Sequence, residues 1–385
     1  MNHATGIITT DKRPRGIPGF TLIELMVVIT IISLLITFLL PGIFREFDRA
    51  KYAEWLTLRH DLTSDTSCVW FFAFQEDQVD QYNAPQGAAG GENETGRIYN
   101  LAKSVDPVSI VKAATQGNEA DYALLINSPE FKVELPNGDP AGRLAKFKGA
   151  MILNENGGPC QGLVLEERCS TILKEGDSEF TIYLWIYPTQ DQENALVARS
   201  SGYYQNGDVL PFHNAGNGNA NFQMAIKNSG ALELMIICNQ DSSGNNIAGT
   251  VEFTPGGQTI KTNEWNFVCV RFYRGEVTVW INDQKETDTA TWQANGALSL
   301  APAISESTDA REYWKAAAPL TLGAHLFNDT VYADEVDSDS VYLLEDMKHD
   351  IGGGFVGRIG EFGAFSKALD DRKIKRIYKI GRMSD

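Results

Sequence analysis

The amino-acid sequence predicts a mainly β protein, an antiparallel sandwich preceded by one long N-terminal α-helix. After residue 63 the apolar residues come in short runs, separated by turns rich in Gly and Asn. No helical pattern alternates with these runs, as a parallel sheet would require, so an antiparallel sandwich is favoured. Strands are predicted over residues 68–74, 123–127, 147–153, 180–187, 195–199, 222–226, 232–238, 267–273 and 277–281.

The N-terminal helix is predicted over residues 20–62, and its first part is apolar enough to enter a membrane. From Phe20 to Leu40 every residue except Glu24 is apolar or carries a small hydroxyl. At about 1.5 Å per residue this run spans about 30 Å, the thickness of the hydrocarbon core of a bilayer. We therefore expect residues 20–44 to cross the membrane. Beyond them, apolar residues recur at helical spacing among charges, which indicates an amphipathic continuation.

The start of this helix resembles the type IV prepilin family, which includes the pseudopilins of type II secretion. The likeness rests on Gly19-Phe-Thr-Leu-Ile-Glu24 joined to the uncharged run. It implies that a prepilin peptidase cleaves after Gly19 and that Phe20 becomes the methylated N-terminal residue. It also implies that Glu24 acts in assembly, by pairing with the N-terminal amine of a neighbouring subunit.

Residues 1–19 are predicted to be the leader peptide. Lys12, Arg13 and Arg15 make this segment basic, which keeps it in the cytoplasm and sends the following domain out of the cell interior. The expected location is the inner membrane, crossed once, with the exported domain in the periplasm or on a surface filament. A plain signal peptide or signal anchor is the alternative. This alternative leaves Glu24 unexplained, because inserting a carboxylate into a membrane costs roughly 2.5–3.5 kcal/mol of free energy.

The amino-acid composition of the chain indicates that the remaining part, residues 63–385, is an ordinary folded domain. Apolar residues make up 43% of the chain and charged residues 22%, which argues against long disorder. The formal net charge is −17, and such a charge repels nucleic acid, so no nucleic-acid partner is expected.

Several predicted strands resemble the laminin G-like, concanavalin A-like jelly-roll family in its bacterial form. Four stretches carry the likeness, and a short helix follows the last: residues 180–188, 265–283, 320–324 and 357–365. The resemblance implies a jelly roll over residues 63–385 and a lectin-like binding function. In that helix, Asp370 is predicted to cap the N-terminus, and Ile374 and Ile377 to pack on the sandwich.

No catalytic residues are predicted. Glucanases of this architecture place an acid and a nucleophile on one strand through a Glu-x-Asp-x-x-Glu pattern. The nearest match is Glu335-Val-Asp337-Ser-Asp339, which ends in Ser340 where the second glutamate is needed. His-Glu-x-x-His and Gly-x-Ser-x-Gly are also missing from the sequence. An anchored glycosidase is therefore the least favoured alternative.

Calcium is the one cofactor that the sequence leaves open. Asp329, Asp334, Asp337 and Asp339 supply hard oxygen ligands at high density, although a solvated acidic loop explains them equally. The resembled family often has an acidic residue in its final strand where this chain has Gly360, and this departure weakens a calcium site carried over from the family.

Aromatic residues outside the clear strands are candidates for stacking on sugar rings, with core or rim packing as the alternative. They are Tyr203, Tyr204, Trp292 and Trp314.

Five cysteines leave at least one without a disulfide partner. Cys160 and Cys169 bracket a short loop and are predicted to form a disulfide. The other three lie in apolar runs and are predicted to be buried thiols: Cys68, Cys238 and Cys269.

These features predict a pilin-like or pseudopilin subunit with a lectin-like head on a type IV pilus or type II secretion pseudopilus. A head of over 300 residues is bulky for tight helical packing, which favours a minor subunit. The expected partners are other pilin subunits, the prepilin peptidase, the inner membrane, and carbohydrate or a surface protein. The alternative is a membrane-anchored carbohydrate-binding or adhesion protein outside any filament.

Overall fold

The computed structural model divides the chain into two compact units, Met1–Ala50 and Lys51–Asp385. The residues that the structure describes are 21–74, 79–80, 96–102, 122–126, 130–133, 149–155, 160–165, 172–173, 176–202, 204–205, 208–209, 220–238, 247–292, 298–300, 320–327 and 351–382.

Two α-helices, one short 3-10 helix (Pro255–Gly257) and twenty-one strands lie within these described residues. The α-helices are α1 (Leu22–Thr63) and α2 (Asp371–Arg382). The strands are β1 (Cys68–Phe72), β2 (Val79–Asp80), β3 (Gly96–Tyr99), β4 (Tyr122–Ile126), β5 (Glu130–Val133), β6 (Gly149–Leu153), β7 (Gly162–Leu165), β8 (Glu179–Pro188), β9 (Asn194–Gly202), β10 (Tyr204–Gln205), β11 (Asp208–Val209), β12 (Ala220–Ile226), β13 (Leu232–Cys238), β14 (Ile247–Phe253), β15 (Asn266–Tyr273), β16 (Glu276–Ile281), β17 (Gln284–Asp288), β18 (Leu320–Leu322), β19 (His325–Phe327), β20 (Ile351–Gly352) and β21 (Gly357–Phe365).

The first unit contains the start of α1, in which every residue from 22 to 37 except Glu24 is apolar or carries a small hydroxyl. Within the part of the chain that the structure describes, no helix is long and apolar enough to cross a membrane. Side chains 38–45 lie outside the described residues, so the span predicted over residues 20–44 is only partly covered.

The second unit is a β-sandwich of two antiparallel sheets, as the sequence predicts. The first sheet runs in the order β17-β16-β15-β8-β21-β6-β5, with β1 also paired to β21. The second runs β14-β13-β12-β9-β18-β7-β4-β3-β2, with β19 also paired to β9 and β20 paired to β19. One short pairing, between β19 and β9, is parallel. Non-consecutive neighbours such as β8 and β21 bring distant parts of the chain together in each sheet.

The inner faces of the two sheets form the main hydrophobic core. Alternate residues of β15, among them Val268 and Val270, point inward and are fully buried. The rings of Phe180 on β8 and Phe222 on β12 meet edge-on across the sandwich, with centroids 5.4 Å apart. This contact shows directly that the two sheets face each other.

The hairpin of β15 and β16 turns at Arg274 and Gly275, as predicted. Their φ angles are 52° and 99°, both in the left-handed region. Two such residues match the right-handed twist of the flanking strands, so the hairpin closes with a two-residue loop.

Candidate functional site: the N-terminal motif and the helix-covered face of the head

The first turn of α1 is closed by a reciprocal pair of hydrogen bonds between Thr21 and Glu24. The Thr21 backbone N–H and hydroxyl donate to Glu24 Oε2 over 2.8 and 2.9 Å. In return, the Glu24 backbone N–H donates to Thr21 Oγ1 over 3.2 Å. This arrangement is a capping box, which satisfies backbone donors that a helix start leaves unpaired. Glu24 therefore has a partner on its own chain, a role that the sequence analysis did not assign.

The turns that follow present an apolar surface on every side. All described side chains from residue 21 to 37 are exposed within this structure, including Leu22 at 75% and Ile23 at 72%. A helix that is apolar all round is stable only when lipid or protein surrounds it. Gly19 and Phe20 lie outside the described residues, so cleavage and methylation there stay predictions.

The last turns of α1, which belong to the second unit, cover the outer face of the first sheet. Trp55, Leu58 and Leu62 recur at helical spacing and are 1–3% exposed. They join a second hydrophobic cluster with outward-facing sheet residues such as Tyr183 and Phe267. The amphipathic continuation predicted from the sequence is therefore the part of the helix that packs on the head.

A β-bulge on β21 places a carboxylate in this cluster. The pairing of β21 with β8 shifts between Ile359 and Phe362, which both face the inner core. The extra residue turns Glu361 toward the outer face, where it is 7% exposed. Glu361 accepts hydrogen bonds from the Tyr183 hydroxyl at 2.8 Å and from Trp55 Nε1 at 3.4 Å. One buried carboxylate thus joins two strands to α1.

Helix α2 covers the same face beside α1. Asp370 Oδ1 accepts the Lys373 backbone N–H over 2.8 Å, so the predicted N-cap is confirmed. Ile374 and Ile377 are buried, as predicted. The Tyr378 ring stacks on Trp185 with centroids 5.9 Å apart. A Cβ at Gly381 would lie 2.6 Å from Trp185 Nε1, so glycine allows the close approach of α2 to the sheet.

Charged side chains join the end of α1 and the segment after it to α2. Asp61 pairs with Arg376 at 3.0 Å. Asp65, only 12% exposed, pairs with Lys373 at 2.6 Å and with Lys367 at 3.0 Å. Partial burial alone would raise the pKa of Asp65, but hydrogen bonds from Lys373, Ser67 and Lys367 outweigh it and hold that pKa well below its ordinary range.

The four cysteines that the structure describes differ in how deeply they are buried. Cys68, Cys238 and Cys269 lie in the interior of the head. Burial raises the pKa of Cys238 to about 12, so this thiol stays protonated. Cys160 is partly buried, and burial raises its pKa to about 11. Cys169 lies outside the described residues, so the Cys160–Cys169 disulfide stays a prediction.

Of the four aromatic residues that were candidates for stacking on sugar, Trp292 instead follows the alternative, packing in the core. It is 2% exposed in the core between the sheets, and its Nε1 donates to the Ile236 carbonyl over 3.0 Å. Tyr203, Trp314 and the side chain of Tyr204 lie outside the described residues.

The candidate calcium ligands also lie outside the described residues: Asp329, Asp334, Asp337 and Asp339. Glu335, from the nearest match to a glucanase motif, lies there too. Within the described ranges no three His, Cys, Asp or Glu side chains group closely enough to hold a metal ion.

Comparison with solved structures finds botulinum neurotoxin binding domains. The receptor binding domain of the C/D mosaic serotype is 13% identical, with a TM-score of 0.34, and the match covers 68% of this chain and 48% of that one. The binding domain of neurotoxin DC in complex with rat synaptotagmin II is 11% identical, with a TM-score of 0.37, and the match covers 69% and 49%. The chain thus spans about half the length of these domains. No curated protein matches the chain.

Two family descriptions match separate parts of the sequence. The prokaryotic N-terminal methylation motif matches residues 15–40, the segment that holds Thr21 and Glu24. The concanavalin A-like lectin/glucanases superfamily matches residues 168–319, which include β8 and the β15–β16 hairpin. The chain therefore joins a prokaryotic N-terminal methylation motif to a concanavalin A-like domain.

Proposed function

We propose that this protein is a pilin-like or pseudopilin subunit that carries a lectin-like head. A prepilin peptidase cleaves after Gly19 and methylates Phe20, and residues 20–44 anchor the precursor in the inner membrane. After assembly, the head of a minor subunit is displayed on a type IV pilus or a type II secretion pseudopilus.

The observation that carries the proposal is the contrast between the two parts of α1. Its first described turns are apolar and exposed on all sides, whereas Trp55, Leu58 and Leu62 bury one face against the head. Such a helix suits a subunit in which lipid or neighbouring subunits bury the first half of the helix. The second half of the helix packs on the subunit's own domain. The methylation motif over residues 15–40 supports the same assignment.

The head is proposed to bind carbohydrate or a surface protein and to lack glycosidase activity. Its concanavalin A-like match supports a lectin-like role. If reducing sugar were released from β-glucans and the release disappeared on changing Glu335→Gln or Asp337→Asn, the head would be an enzyme instead.

Fractionation tests the filament role. Filaments sheared from cells should contain the cleaved chain, and cells without the prepilin peptidase should retain the uncut chain in the inner membrane. A cleaved chain found only in the membrane of filament-producing cells would favour the alternative, an anchored adhesion protein outside any filament.

A further inference from the structure

Helix α2 carries a local charge opposite in sign to that of the rest of the protein. Its twelve residues include six Lys or Arg and one Asp, a net charge of +5, whereas the whole chain carries −17. Near an anionic surface, such a molecule is attracted through α2 and repelled through the remainder of its charge. The sign of the charge on α2 therefore orients the head at a surface of this kind.

Two ion pairs show in which direction α2 runs. Lys373, near its start, pairs with Asp65, which follows the end of α1. One turn later, Arg376 pairs with Asp61, which comes earlier in the chain than Asp65. Because the partners move backward along the chain as α2 advances, α2 runs antiparallel to the last turns of α1. Its last turn therefore lies toward the start of the second unit, Lys51.

The proposed membrane span ends close to this point in the sequence. Residue 44 and Lys51 are seven residues apart, and seven residues reach at most about 25 Å even when fully extended. The start of the second unit is thus tethered near the bilayer, and the last turn of α2 lies on the tethered side of the head. This step rests on the proposed function, in which residues 20–44 anchor the chain.

Three exposed cations lie on the last turns of α2, and we name them the basic end: Lys375, Lys379 and Arg382. Their spacing of four and three residues puts them on one face of the helix. Ile377 and Ile380, from the same turns, are buried in the cluster that joins α2 to the sheet. Packing of α2 on the head therefore leaves the basic end facing solvent.

Interactions within the head leave two of these charges without a counterion. Among the residues that the structure describes, Lys375 and Lys379 form no ion pair. Arg382 donates to the Tyr378 hydroxyl, a neutral acceptor, over 3.3 Å. The helix dipole favours cations in the last turn, which includes Lys379 and Arg382, but its effect fades before Lys375. Helix stability thus explains part of the basic end and not the whole of it.

We propose that the basic end binds the headgroups of anionic phospholipid in the membrane that anchors the chain. Charge complementarity identifies the partner, because clustered Lys and Arg next to a membrane anchor are attracted to anionic lipid. The antiparallel course of α2 supports the same partner, since it brings these cations to the tethered side of the head. The contact holds the head of the precursor at the membrane surface.

Lysine acetylation of the full chain in nanodiscs tests the proposal. Discs that each hold a single chain are made either from phosphatidylglycerol or from phosphatidylcholine, which has the same phosphate but no net charge. Lys375 and Lys379 report on the basic end. Lys367 is the internal control, because its side chain is 44% exposed and pairs with Asp65 near the opposite end of α2. Mass spectrometry of the digested chain gives the rate at each lysine.

At about 50 mM salt, Lys379 should be acetylated at least about threefold more slowly in phosphatidylglycerol than in phosphatidylcholine, and Lys375 should be slowed in the same direction. The difference should shrink at about 300 mM salt, because salt screens attraction between charges. Lys367 should react equally in both discs. Equal rates at Lys379 in the two lipids would overturn the proposal, and so would equal slowing of Lys367 and Lys379.

Two matched variants identify the charge responsible. Arg382→Gln removes one cation of the basic end and should reduce the protection of Lys379 to less than about twofold. Arg372→Gln makes the same change at an exposed position in the first turn of α2 and should leave that protection unchanged. Circular dichroism checks that both variants are folded. Equal loss of protection in the two variants, or no loss in either, would contradict the assignment of the contact to the basic end.

Sheared filaments separate this inference from the proposed function. If the wild type is absent from filaments but Lys379 is protected in phosphatidylglycerol, the filament role fails and the lipid contact stands. If the wild type enters filaments but Lys379 reacts equally in both discs, the lipid contact fails and the filament role stands.

Discussion

The Tyr183 hydroxyl donates a 2.8 Å hydrogen bond to Glu361 at the β-bulge between β8 and β21. Both residues are buried, and Trp55 of α1 donates to the other carboxylate oxygen. A buried carboxylate with two donors of this kind fixes where the helix lies on the sheet, because any shift of α1 leaves an oxygen without its donor.

Tyr183→Phe removes one of these donors and leaves the ring in place. We expect the unit Lys51–Asp385 to lose about 1–3 kcal/mol of unfolding free energy, because Glu361 then stays buried with one donor fewer. Urea unfolding followed by tryptophan fluorescence measures the change. Tyr273→Phe is the control, since Tyr273 is 43% exposed and its variant should change stability by less than about 0.5 kcal/mol. Equal effects of the two changes would show that the Tyr183 contact contributes little.

Substitution of two leucines of α1 tests whether its last turns stabilise the head by packing on it. Leu58 is 3% exposed and Leu56 is 40% exposed, only two residues apart. Leu58→Ala should therefore destabilise the second unit by about 2–5 kcal/mol, and Leu56→Ala by less than about 1 kcal/mol. Thermal unfolding of the two variants gives the comparison, and similar melting temperatures would contradict the packing of α1 described above.

The Asp65 contacts predict a pH dependence. The pKa of Asp65 is lowered by folding, so its ionised form stabilises the head above the unfolded-state value of about 3.9. That stabilisation is lost as the pH falls below about 4 toward the folded-state pKa. Asp65→Asn should thus cost about 1–2 kcal/mol at pH 7, with a difference that shrinks in acid.

Urea unfolding of wild type and Asp65→Asn at pH 7 and near pH 3 provides this measurement. Asp283→Asn, at an exposed site, is the control at pH 7 and should stay within about 0.5 kcal/mol of wild type. A cost for Asp65→Asn that is the same at both pH values would count against the ion pairs with Lys373 and Lys367.

The strands that the sequence predicts correctly have a strong apolar pattern. β8 and β15 are rich in β-branched and aromatic residues, and both occur close to their predicted limits. β17, Gln284–Asp288, was missed because it is polar throughout. As an edge strand it faces solvent and has charged residues that discourage pairing with other chains.

For the candidate site residues, the sequence predicts local contacts but not contacts between residues far apart in the chain. The cap by Asp370 depends on residues three apart, so the local sequence suffices to predict it. The Glu361 contacts join residues 178 and 306 positions apart and depend on a bulge, which has no clear sequence signal. The sequence left Trp292 open between sugar stacking and core packing, because an aromatic residue outside an apolar run has the same sequence pattern in a core as on a surface.

The capping box predicts separate effects for Thr21 and Glu24. Thr21→Val keeps the acid but removes the hydroxyl that both donates to it and accepts the Glu24 N–H. It should weaken the helix start by about 1 kcal/mol and reduce filament incorporation partially. Glu24→Ala should allow export and cleavage but leave the subunit in the inner membrane, because the N-terminal amine of a neighbouring subunit's Phe20 then lacks its acid.

Comparison of sheared-filament and membrane fractions tests both variants. Thr30→Val is a control in the same helix, since the Thr30 hydroxyl donates to the Met26 carbonyl of its own helix. Normal incorporation of Glu24→Ala would remove the assembly role and leave Glu24 as a helix cap.

The measurement that tests the central claim most directly is the intact mass of the mature chain, with sequencing of its N-terminal peptide, from cells that contain a prepilin peptidase. A pilin-like subunit should begin at Phe20 with one methyl group on its amine. A chain that begins elsewhere, or keeps residues 1–19, would contradict the assignment.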